Sequence, residues 1–290
     1  MEEKIMDMHT HTCYSDGELE PNDLIDLAIS KNLKTLAITD HDTISGIKEI
    51  DRNRQNVIDS KIEVINGIEL SSKVSSGRMH ILGYDFDINN IDLNKKLLEL
   101  KENSLHSVLS VMEQIKRDYG IRFSYQDIKD LVNAKCNLGR PYLAKLCIKY
   151  GFAKDVNEAF DKYLVPAYNK VRGTNKGIKY TECIDLINKS GGIPVLAHPK
   201  SLGLSEKEFL ILLRDMISCG LKGIEVYHYS FTKEEMENYL NIANKYNLLI
   251  SGGSDYHGIH VKPDVELGTG KNNNLKIKEL SLLDEIHRRK

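Results

Sequence analysis

Histidines and carboxylates recur along this chain, nearly all of them at the ends of short apolar runs that are typical of β-strands. Nine such side chains are candidate metal ligands: His9, His11, Asp16, His41, Glu69, His80, His198, Asp255 and His257. Imidazole nitrogens and carboxylate oxygens are the ligands that divalent zinc, manganese and iron accept. Because one ion needs only about four ligands, nine candidates predict a cluster of ions. A cluster with open positions predicts hydrolysis by metal-activated water.

Strand-like runs alternate with helical patterns over most of the 290 residues, which predicts an α/β protein with a parallel sheet. The predicted strands are Lys4–His9, Thr35–Thr39, Ile62–Ile68, Met79–Phe86, Ile193–Leu196, Gly223–Tyr227 and Leu248–Ser251. The predicted helices between them are Pro21–Asn32, Ile47–Ile58, Thr181–Ser190, Ser205–Cys219 and Lys233–Tyr246. Seven strands favour a closed or nearly closed barrel, in which the ends of the strands share one face and distant residues meet there.

Two details of the pattern bear on the site. His9 and His11 are two residues apart in an extended run, so both side chains project from the same side of the strand. His80 differs from the other candidates because it lies near the start of its apolar run. Asp40 and Asp42 lie beside a candidate ligand, where we expect either carboxylate to orient an imidazole.

The alternation stops between about Ile91 and Lys179, where helical patterns follow one another. Four helices are predicted there: Asp92–Tyr119, one opened by the capping-box pair Ser124 and Asp127, one opened by Arg140 and Pro141, and Val156–Leu164. We therefore predict a metal-binding barrel formed by residues 1–91 and 180–290. Residues 92–179 are predicted to be a helical insertion that covers the active site.

Composition narrows the range of partners and locations. Lys and Arg number 40 and Asp and Glu number 42, so a net charge of −2 gives no support for bulk attraction to duplex DNA or to a membrane. A run of about 18 apolar residues, which a membrane span requires, is absent from the sequence, and the N-terminus has no secretory pattern. The five cysteines form no CxxC pair, which favours a reducing cytoplasm. The sequence makes no prediction of oligomeric state.

Seven short segments carry a family resemblance: MHTHTCYSDG, ITDHD, GIEL, HILGY, LAHP, GIEVYH and GSDYH. In this order they resemble the PHP family, the polymerase-and-histidinol-phosphatase superfamily of metal-dependent phosphoesterases. The resemblance implies a distorted (β/α)7 TIM-like barrel with a helical insertion domain and a centre of three divalent ions. It implies these ligand sets: His9, His11, Glu69 and Asp255; Glu69, His80 and His198; Asp16, His41 and His257. Asp16 stands where some members have histidine, which favours manganese, iron or magnesium over zinc at that site.

The stretch from Leu138 to Tyr168 resembles the helical insert of one PHP branch, which includes a 3′,5′-nucleotide bisphosphate phosphatase and a 5′→3′ exoribonuclease. The resemblance implies a small phosphorylated substrate, either a nucleotide or a short RNA. Arg140 is then expected to clamp a phosphate as a bidentate cation, and His228 to contact phosphate or protonate the leaving group. Glu69 is expected to bridge two ions, with Mn²⁺ preferred and Zn²⁺, Fe²⁺ or Mg²⁺ as alternatives.

Three other functions are consistent with the same residues. One is a phosphatase for histidinol phosphate or a sugar phosphate. Another is a non-catalytic barrel that metal ions stabilise, although such a module need not keep nine candidate ligands. The third is hydrolysis of an amide or a lactone on a similar barrel. Three closely spaced cations suit a phosphoryl dianion better than a neutral amide.

Overall fold

The computed structural model of the chain describes residues 5–50, 61–73, 78–132, 140–171 and 177–290, with the backbone alone for Arg140 and Pro141. Two compact units result: residues 1–94 together with 178–290, and residues 95–177. The helices of the described residues are α1 (Pro21–Ser30), α2 (Ser45–Lys48), α3 (Ile91–Tyr119), α4 (Tyr125–Val132), α5 (Arg140–Lys149), α6 (Val156–Ala159), α7 (Val165–Val171), α8 (Tyr180–Lys189), α9 (Glu206–Ser218), α10 (Lys233–Tyr246) and α11 (Ser281–Arg289).

The first unit contains one seven-stranded sheet, in which each strand lies beside the next one along the chain. Its strands are β1 (Ile5–Asp7), β2 (Leu33–Ile38), β3 (Glu63–Ser72), β4 (Met79–Tyr84), β5 (Ile193–Leu196), β6 (Gly223–His228) and β7 (Leu249–Gly253). The backbone of Met8 donates to Gly252, and Thr10 bridges Tyr256, so the first and last strands meet. The sheet is therefore a nearly closed barrel with surrounding helices, as the sequence predicts.

The direction of β4 corrects the prediction of a parallel sheet. The pairs β1–β2, β2–β3, β5–β6 and β6–β7 are parallel, but β4 is antiparallel to both of its neighbours. Residues 73–78 join β3 to β4, and a connection this short can return the chain only in the opposite direction. The start of β4 consequently lies at the face where the parallel strands end. His80 occupies that start, which explains its exceptional place in the sequence.

Apolar side chains of the strands and of α11 fill the centre of the barrel. The cluster is Met6, Met8, Ala37, Ile65, Leu82, Tyr84, Ile193, Val195, Ala197, Ile277, Leu280, Leu282, Leu283 and Ile286. Tyr84 is fully buried, yet its hydroxyl donates to the carbonyl of Met8 at 2.7 Å, which satisfies its polar end. A packed interior below the rim means that polar groups of the barrel gather at the strand ends.

Local sequence sets the ends of the helices that surround the barrel. Pro21 begins α1, where a missing N–H costs nothing. Capping boxes begin α9 and α10: Ser205 Oγ accepts from the backbone N–H of Glu208, and Thr232 Oγ1 accepts from that of Glu235. The predicted helix Ile47–Ile58 overlaps only the end of α2, and residues 51–60 lie outside the described part of the chain.

The second unit is helical and has its own apolar core, built from α3 to α7 and the π-helical turn Phe160–Leu164. Ser124 and Asp127 form the predicted capping box, in which the Asp127 carboxylate accepts from Ser124 N at 2.9 Å. The same carboxylate accepts from Lys149 Nζ at 2.8 Å and from the hydroxyl of Tyr150. No helix in the described residues is both long enough and apolar enough to cross a membrane.

Candidate metal centre

Glu69 lies in β3 with its carboxylate buried among imidazoles, and each oxygen faces a different group of them. Oε1 accepts from His80 Nδ1 at 2.7 Å and from His198 Nε2 at 2.8 Å. Antiparallel β4 supplies His80, whereas His198 follows the end of β5. Strands that run in opposite directions thus supply the two imidazoles on this oxygen.

The other oxygen of Glu69 faces three imidazoles. Oε2 lies 3.1 Å from His9 Nε2, 3.2 Å from His11 Nε2 and 3.3 Å from His41 Nδ1. His9 and His11 are fully buried, and their side chains project to the same side, as the two-residue spacing predicts. A carboxylate that has a separate set of imidazole nitrogens beside each of its oxygens has the arrangement needed to bridge two cations.

Asp255 follows β7 and divides its two oxygens between the buried cluster and its edge. Oδ1 lies 3.6 Å from His9 Nε2, 3.3 Å from His11 Nε2 and 3.4 Å from His257 Nδ1. Oδ2 accepts from Lys262 Nζ at 2.6 Å and lies 3.4 Å from His228 Nε2. Oδ1 therefore faces the candidate ligands, whereas Oδ2 faces Lys262 and His228, which are not candidate ligands.

Asp16 lies in the loop after β1, and its carboxylate faces three imidazoles of the cluster. Oδ1 lies 3.2 Å from His257 Nε2 and 3.7 Å from His11 Nδ1, and Oδ2 lies 4.0 Å from His41 Nε2. The Asp16 side chain is 36% exposed and that of His41 is 24% exposed, whereas His9 and His11 are closed off from water. Asp16 and His41 are therefore the two most exposed of the nine candidate ligands.

The structure brings all nine candidate ligands together. Three groups have ligand atoms within 4.8 Å of one another: His9, His11, Glu69 and Asp255; His41, Glu69 and His80; His11, Asp16, His41 and His257. The first group equals the expected first ligand set. The second has His41 in the expected place of His198, which contacts Glu69 Oε1 instead, and the third has His11 as an additional member.

Unsatisfied polar atoms provide a test of whether these residues fit metal ions. His11 Nε2, Asp16 Oδ1 and His41 Nδ1 are buried without a hydrogen bond of acceptable geometry, although oppositely charged groups lie nearby. Buried polar atoms without a partner are costly and rare, and these three converge on one volume with other nitrogen and oxygen ligands. The donor set and its unsatisfied atoms fit divalent cations.

The pKa values of the cluster also fit a site for divalent cations. Burial lowers the pKa of both His9 and His11, but nearby carboxylates outweigh it, so the pKa of His9 lies well above its usual value and that of His11 rises to about 9. Burial lowers the pKa of His41 to about 3. Burial would raise the pKa of Glu69 and Asp255, yet the surrounding imidazoles hold both well below their usual values. Protons on His9 and His11 thus balance carboxylates that divalent cations would otherwise neutralise.

Backbone conformation around the cluster is unusual for residues that carry side chains. His198 has a φ of 23° and Asp255 a φ of 52°, both in the left-handed region. Such conformations cost roughly 1–3 kcal/mol each and occur where surrounding structure imposes them, often at functional sites. Gly253 also serves the site, because a Cβ there would lie 2.4 Å from the backbone nitrogen of His9. Only glycine allows β7 to pass this close to the first ligand.

Buried carboxylates around the cluster hold the loops that carry the ligands. Asp40 accepts from the backbone and hydroxyl of Thr12 at 2.7 and 2.6 Å and from Ser15 Oγ at 2.6 Å. It thus reaches His11 only through Ser15, whose Oγ lies 3.3 Å from His11 Nδ1. The expected direct contact of Asp40 with an imidazole is replaced by contacts that fix the loop after β1. Asp42 accepts from the backbone N–H of Ser71 at 2.8 Å.

The two predicted substrate contacts differ in what the structure describes. His228 ends β6 and is buried, with Nδ1 2.8 Å from Ser230 Oγ and Nε2 3.4 Å from Asp255 Oδ2. It therefore lies at the edge of the cluster. Arg140 begins α5, as predicted, but its side chain lies outside the described part of the structure. Its role as a phosphate clamp stays a prediction.

Residues 7–165, more than half of the chain, match the family model of the PHP domain. The chain belongs to the PHP family. A crystal structure from Bifidobacterium adolescentis, described as that of a metal-dependent phosphoesterase, superposes on this PHP barrel with a TM-score of 0.77 at 27% sequence identity. The alignment covers 99% of this chain and 96% of that one. The predicted barrel fold and PHP family are confirmed.

Two curated relatives of this PHP chain have named activities. The 5′-3′ exoribonuclease of Haemophilus influenzae is 28% identical over 257 residues, which cover 88% of this chain and 90% of the relative. The 3′,5′-nucleoside bisphosphate phosphatase of Chromobacterium violaceum is 27% identical over 252 residues, which cover 87% of each chain. Both relatives cleave phosphate esters. The predicted enzyme class, a hydrolase of phosphate ester bonds, is therefore confirmed.

Two charged residues of the PHP site escaped the sequence analysis. Glu225 lies inside β6 and contacts His9 and His198, and Lys262 contacts Asp255 from a loop. The sequence predicts Glu225 only as part of a strand, although a charged residue in an otherwise apolar strand signals a buried polar role. No pattern in the sequence marks Lys262, because its loop has no periodicity.

Proposed function

We propose that this chain is a metal-dependent phosphoesterase that hydrolyses small nucleotides, either 3′,5′-nucleoside bisphosphates or the 5′ ends of short oligoribonucleotides. The single observation that supports it most is Glu69, whose two oxygens face five imidazoles at the rim of a PHP barrel. The two named relatives align over 88% and 87% of this chain. The proposal includes a cytoplasmic location, which five cysteines without a CxxC pair support.

The proposal assigns three divalent ions to the nine ligands, with Mn²⁺ preferred because carboxylates supplement the imidazoles. When bound, the ions would supply positive charge to the phosphoryl oxygens and a hydroxide nucleophile at neutral pH. Glu69 would hold two of the ions at a fixed separation. Asp16 and His41 would hold the third at the exposed side, where a substrate phosphate can arrive.

Residues of the chain itself would bind and orient the substrate at the edge of the centre. Lys262 Nζ lies 5.2 Å from the centre of the Tyr229 ring and pairs with Asp255, so a cation already stands beside the cluster. It would attract a second oxygen of the phosphate. His228 Nε2 faces the same edge and would donate a proton to the departing oxygen. Arg140, through its planar guanidinium, would bind a further phosphate of the substrate.

A phosphate-release screen of the Mn²⁺-loaded protein tests the proposal. Its substrates are 3′,5′-nucleoside bisphosphates, 5′-phosphorylated dinucleotides and histidinol phosphate. We expect turnover of the first or second class, with inorganic phosphate as the product of bisphosphates and a mononucleotide as a product of dinucleotides. Histidinol phosphate as the best substrate by orders of magnitude would refute the nucleotide assignment. Hydrolysis of a lactone in the absence of any phosphate-ester turnover would refute the phosphoesterase itself.

Variants at the edge separate binding from chemistry. Lys262→Met and Arg140→Ala should raise KM more than they lower kcat, because each removes a positive charge that attracts the substrate in its ground state. His228→Gln should lower kcat, because it removes a proton donor needed only as the bond breaks. Lys262→Arg is the matched control that keeps the charge. A KM for Lys262→Met equal to that of the unchanged protein would remove Lys262 from the proposed binding site.

A further inference from the structure

Glu225 is a fully buried carboxylate in β6, and it belongs to none of the three ligand groups. Its Oε1 accepts from His9 Nδ1 at 2.9 Å, and its Oε2 accepts from the backbone N–H of His198 at 2.6 Å. We propose that Glu225 is a positioning residue that aligns ligands of two different ion sites, the ring of His9 and the backbone of His198. This inference rests on the proposed metal centre and extends it to a residue outside the ligand set.

The contact with His9 fixes which ring nitrogen faces the cluster. A carboxylate only accepts hydrogen bonds, so the proton must reside on His9 Nδ1, where Glu225 receives it. The opposite nitrogen, Nε2, points at Glu69 Oε2 at 3.1 Å and at Asp255 Oδ1 at 3.6 Å. Once its own proton is lost, Nε2 presents a lone pair in that direction. Ligand histidines in proteins commonly have such a carboxylate on the second nitrogen, which fixes the tautomer and raises basicity.

The contact with His198 fixes a backbone that is otherwise unfavourable. His198 adopts φ 23° and ψ 63°, a left-handed conformation that residues with side chains rarely adopt. Glu225 holds its N–H, while the imidazole is oriented by Ser201 Oγ, 2.8 Å from Nδ1. This arrangement directs His198 Nε2 to Glu69 Oε1 at 2.8 Å. Glu225 therefore influences both oxygens of Glu69: Oε1 through His198 and Oε2 through His9.

An amide cannot replace this carboxylate, because two donors converge on it from different directions. A glutamine at position 225 has one acceptor oxygen and one NH2 group. If the NH2 group faces His9, it forces the proton onto Nε2 and blocks the ligand nitrogen. If it faces His198, two N–H donors oppose each other in a buried place, which costs the desolvation of both. Either orientation disturbs one ion site through a residue that does not touch the ion.

Metal titration of Glu225→Gln, by calorimetry and by elemental analysis after dialysis, tests this inference without reference to activity. We expect the Mn²⁺ affinity of at least one of the two ion sites linked to Glu225 to fall roughly 10- to 100-fold, the effect typical of carboxylates behind a ligand histidine. The control is Glu63→Gln, since Glu63 accepts from His287 Nε2 at 2.9 Å on the surface of the same unit. That variant should bind Mn²⁺ like the unchanged protein.

Nitrogen NMR of labelled histidines in the unchanged protein supplies the second measurement. We expect the Nδ1 proton of His9 to persist after Mg²⁺ is bound as a diamagnetic substitute. A His9 that is protonated on Nε2 in the metal-loaded protein would overturn the inference, whether or not Glu225→Gln folds. Wild-type Mn²⁺ affinity in a folded Glu225→Gln variant would also overturn it. Neither result depends on the substrate, so failure of this inference can be told apart from failure of the proposed function in the phosphate-release screen.

Discussion

Replacement of Glu69 by glutamine tests the centre at its most connected residue. The amide keeps the shape of the side chain but loses the negative charge and one of the two acceptors. Three imidazoles face Oε2 and two face Oε1, so an NH2 group on either side meets ligand nitrogens. An NH2 group cannot bind a cation. At least one ion site therefore loses a ligand, whichever way the amide turns.

The expected magnitude follows from the interaction that is lost. A hydrogen bond to a charged group contributes about 1.5–3 kcal/mol, and we take this as the minimum cost of losing a carboxylate ligand. At about 1.4 kcal/mol for each factor of ten, Glu69→Gln should weaken Mn²⁺ binding at one site roughly 10- to 150-fold. Because Glu69 touches both groups of imidazoles, the separation of the remaining ions should change as well. Turnover at a Mn²⁺ concentration that saturates the unchanged protein should fall by at least as large a factor.

Elemental analysis after equilibrium dialysis measures the ions bound per chain, and phosphate release measures turnover on the same samples. Glu63→Gln is again the control, because Glu63 begins the same strand and lies among surface partners, His287 and Lys290. Folding of both variants is verified by circular dichroism. An unchanged ion content together with unchanged turnover in Glu69→Gln would refute the bridging role of this carboxylate.

Three further results are expected. Mn²⁺ at about 1,000 times its dissociation constant should add about 4 kcal/mol to stability and raise Tm by roughly 8–16 °C in calorimetry; an unchanged Tm would contradict a metal centre. Because the pKa values of His9 and His11 are raised, both rings are in the protonated, cationic form near neutral pH, and Mn²⁺ binding should displace those protons. The released protons are measured as a dependence of the calorimetric binding enthalpy on the ionisation enthalpy of the buffer. Burial would raise the pKa of Asp127, but hydrogen bonds, that of Lys149 foremost, hold it below its usual value. Its stabilisation is therefore complete above the ordinary aspartate pKa and is lost as pH falls through the lower folded value, so the difference in denaturant stability between the unchanged protein and Asp127→Asn should shrink below about pH 4.

Most of the candidate ligands could be predicted from sequence because they follow a recognisable apolar run. Strand ends are marked by a change from apolar to polar residues, and a barrel gathers those ends whatever their separation along the chain. His198 and Asp255 illustrate this, since each comes two residues after the last residue of its strand, β5 or β7. The pattern needs no knowledge of which strands are neighbours.

The direction of β4 and the partners of Asp40 could not be predicted in the same way. An apolar run has the same appearance in either direction, so the sequence gives no sign that the strand that carries His80 runs antiparallel to its neighbours. Asp40 directly precedes a ligand, which suggested contact with an imidazole. Its carboxylate instead accepts from Thr12 and Ser15, a loop 28 and 25 residues earlier in the chain.

The sequence pattern does not reveal charged residues whose partners are distant along the chain. Glu225 lies between two apolar neighbours in β6, and only the position of His9, 216 residues away, reveals its purpose. Lys262 contacts Asp255 from a loop whose path is set by tertiary packing. Charges of this kind are recognised from coordinates, because their partners are determined by the fold and not by spacing.

The reversal of β4 has a consequence for how such enzymes can diversify. It places Ser72 and Lys73, at the end of β3, and Arg78, before β4, at the face where the candidate ligands gather, although none of these three residues belongs to a ligand group. Substitution of these three residues would change the surroundings of the candidate centre while the nine candidate ligands stay intact. A combinatorial library restricted to these three positions thus tests whether substrate preference can change without any change of candidate ligand.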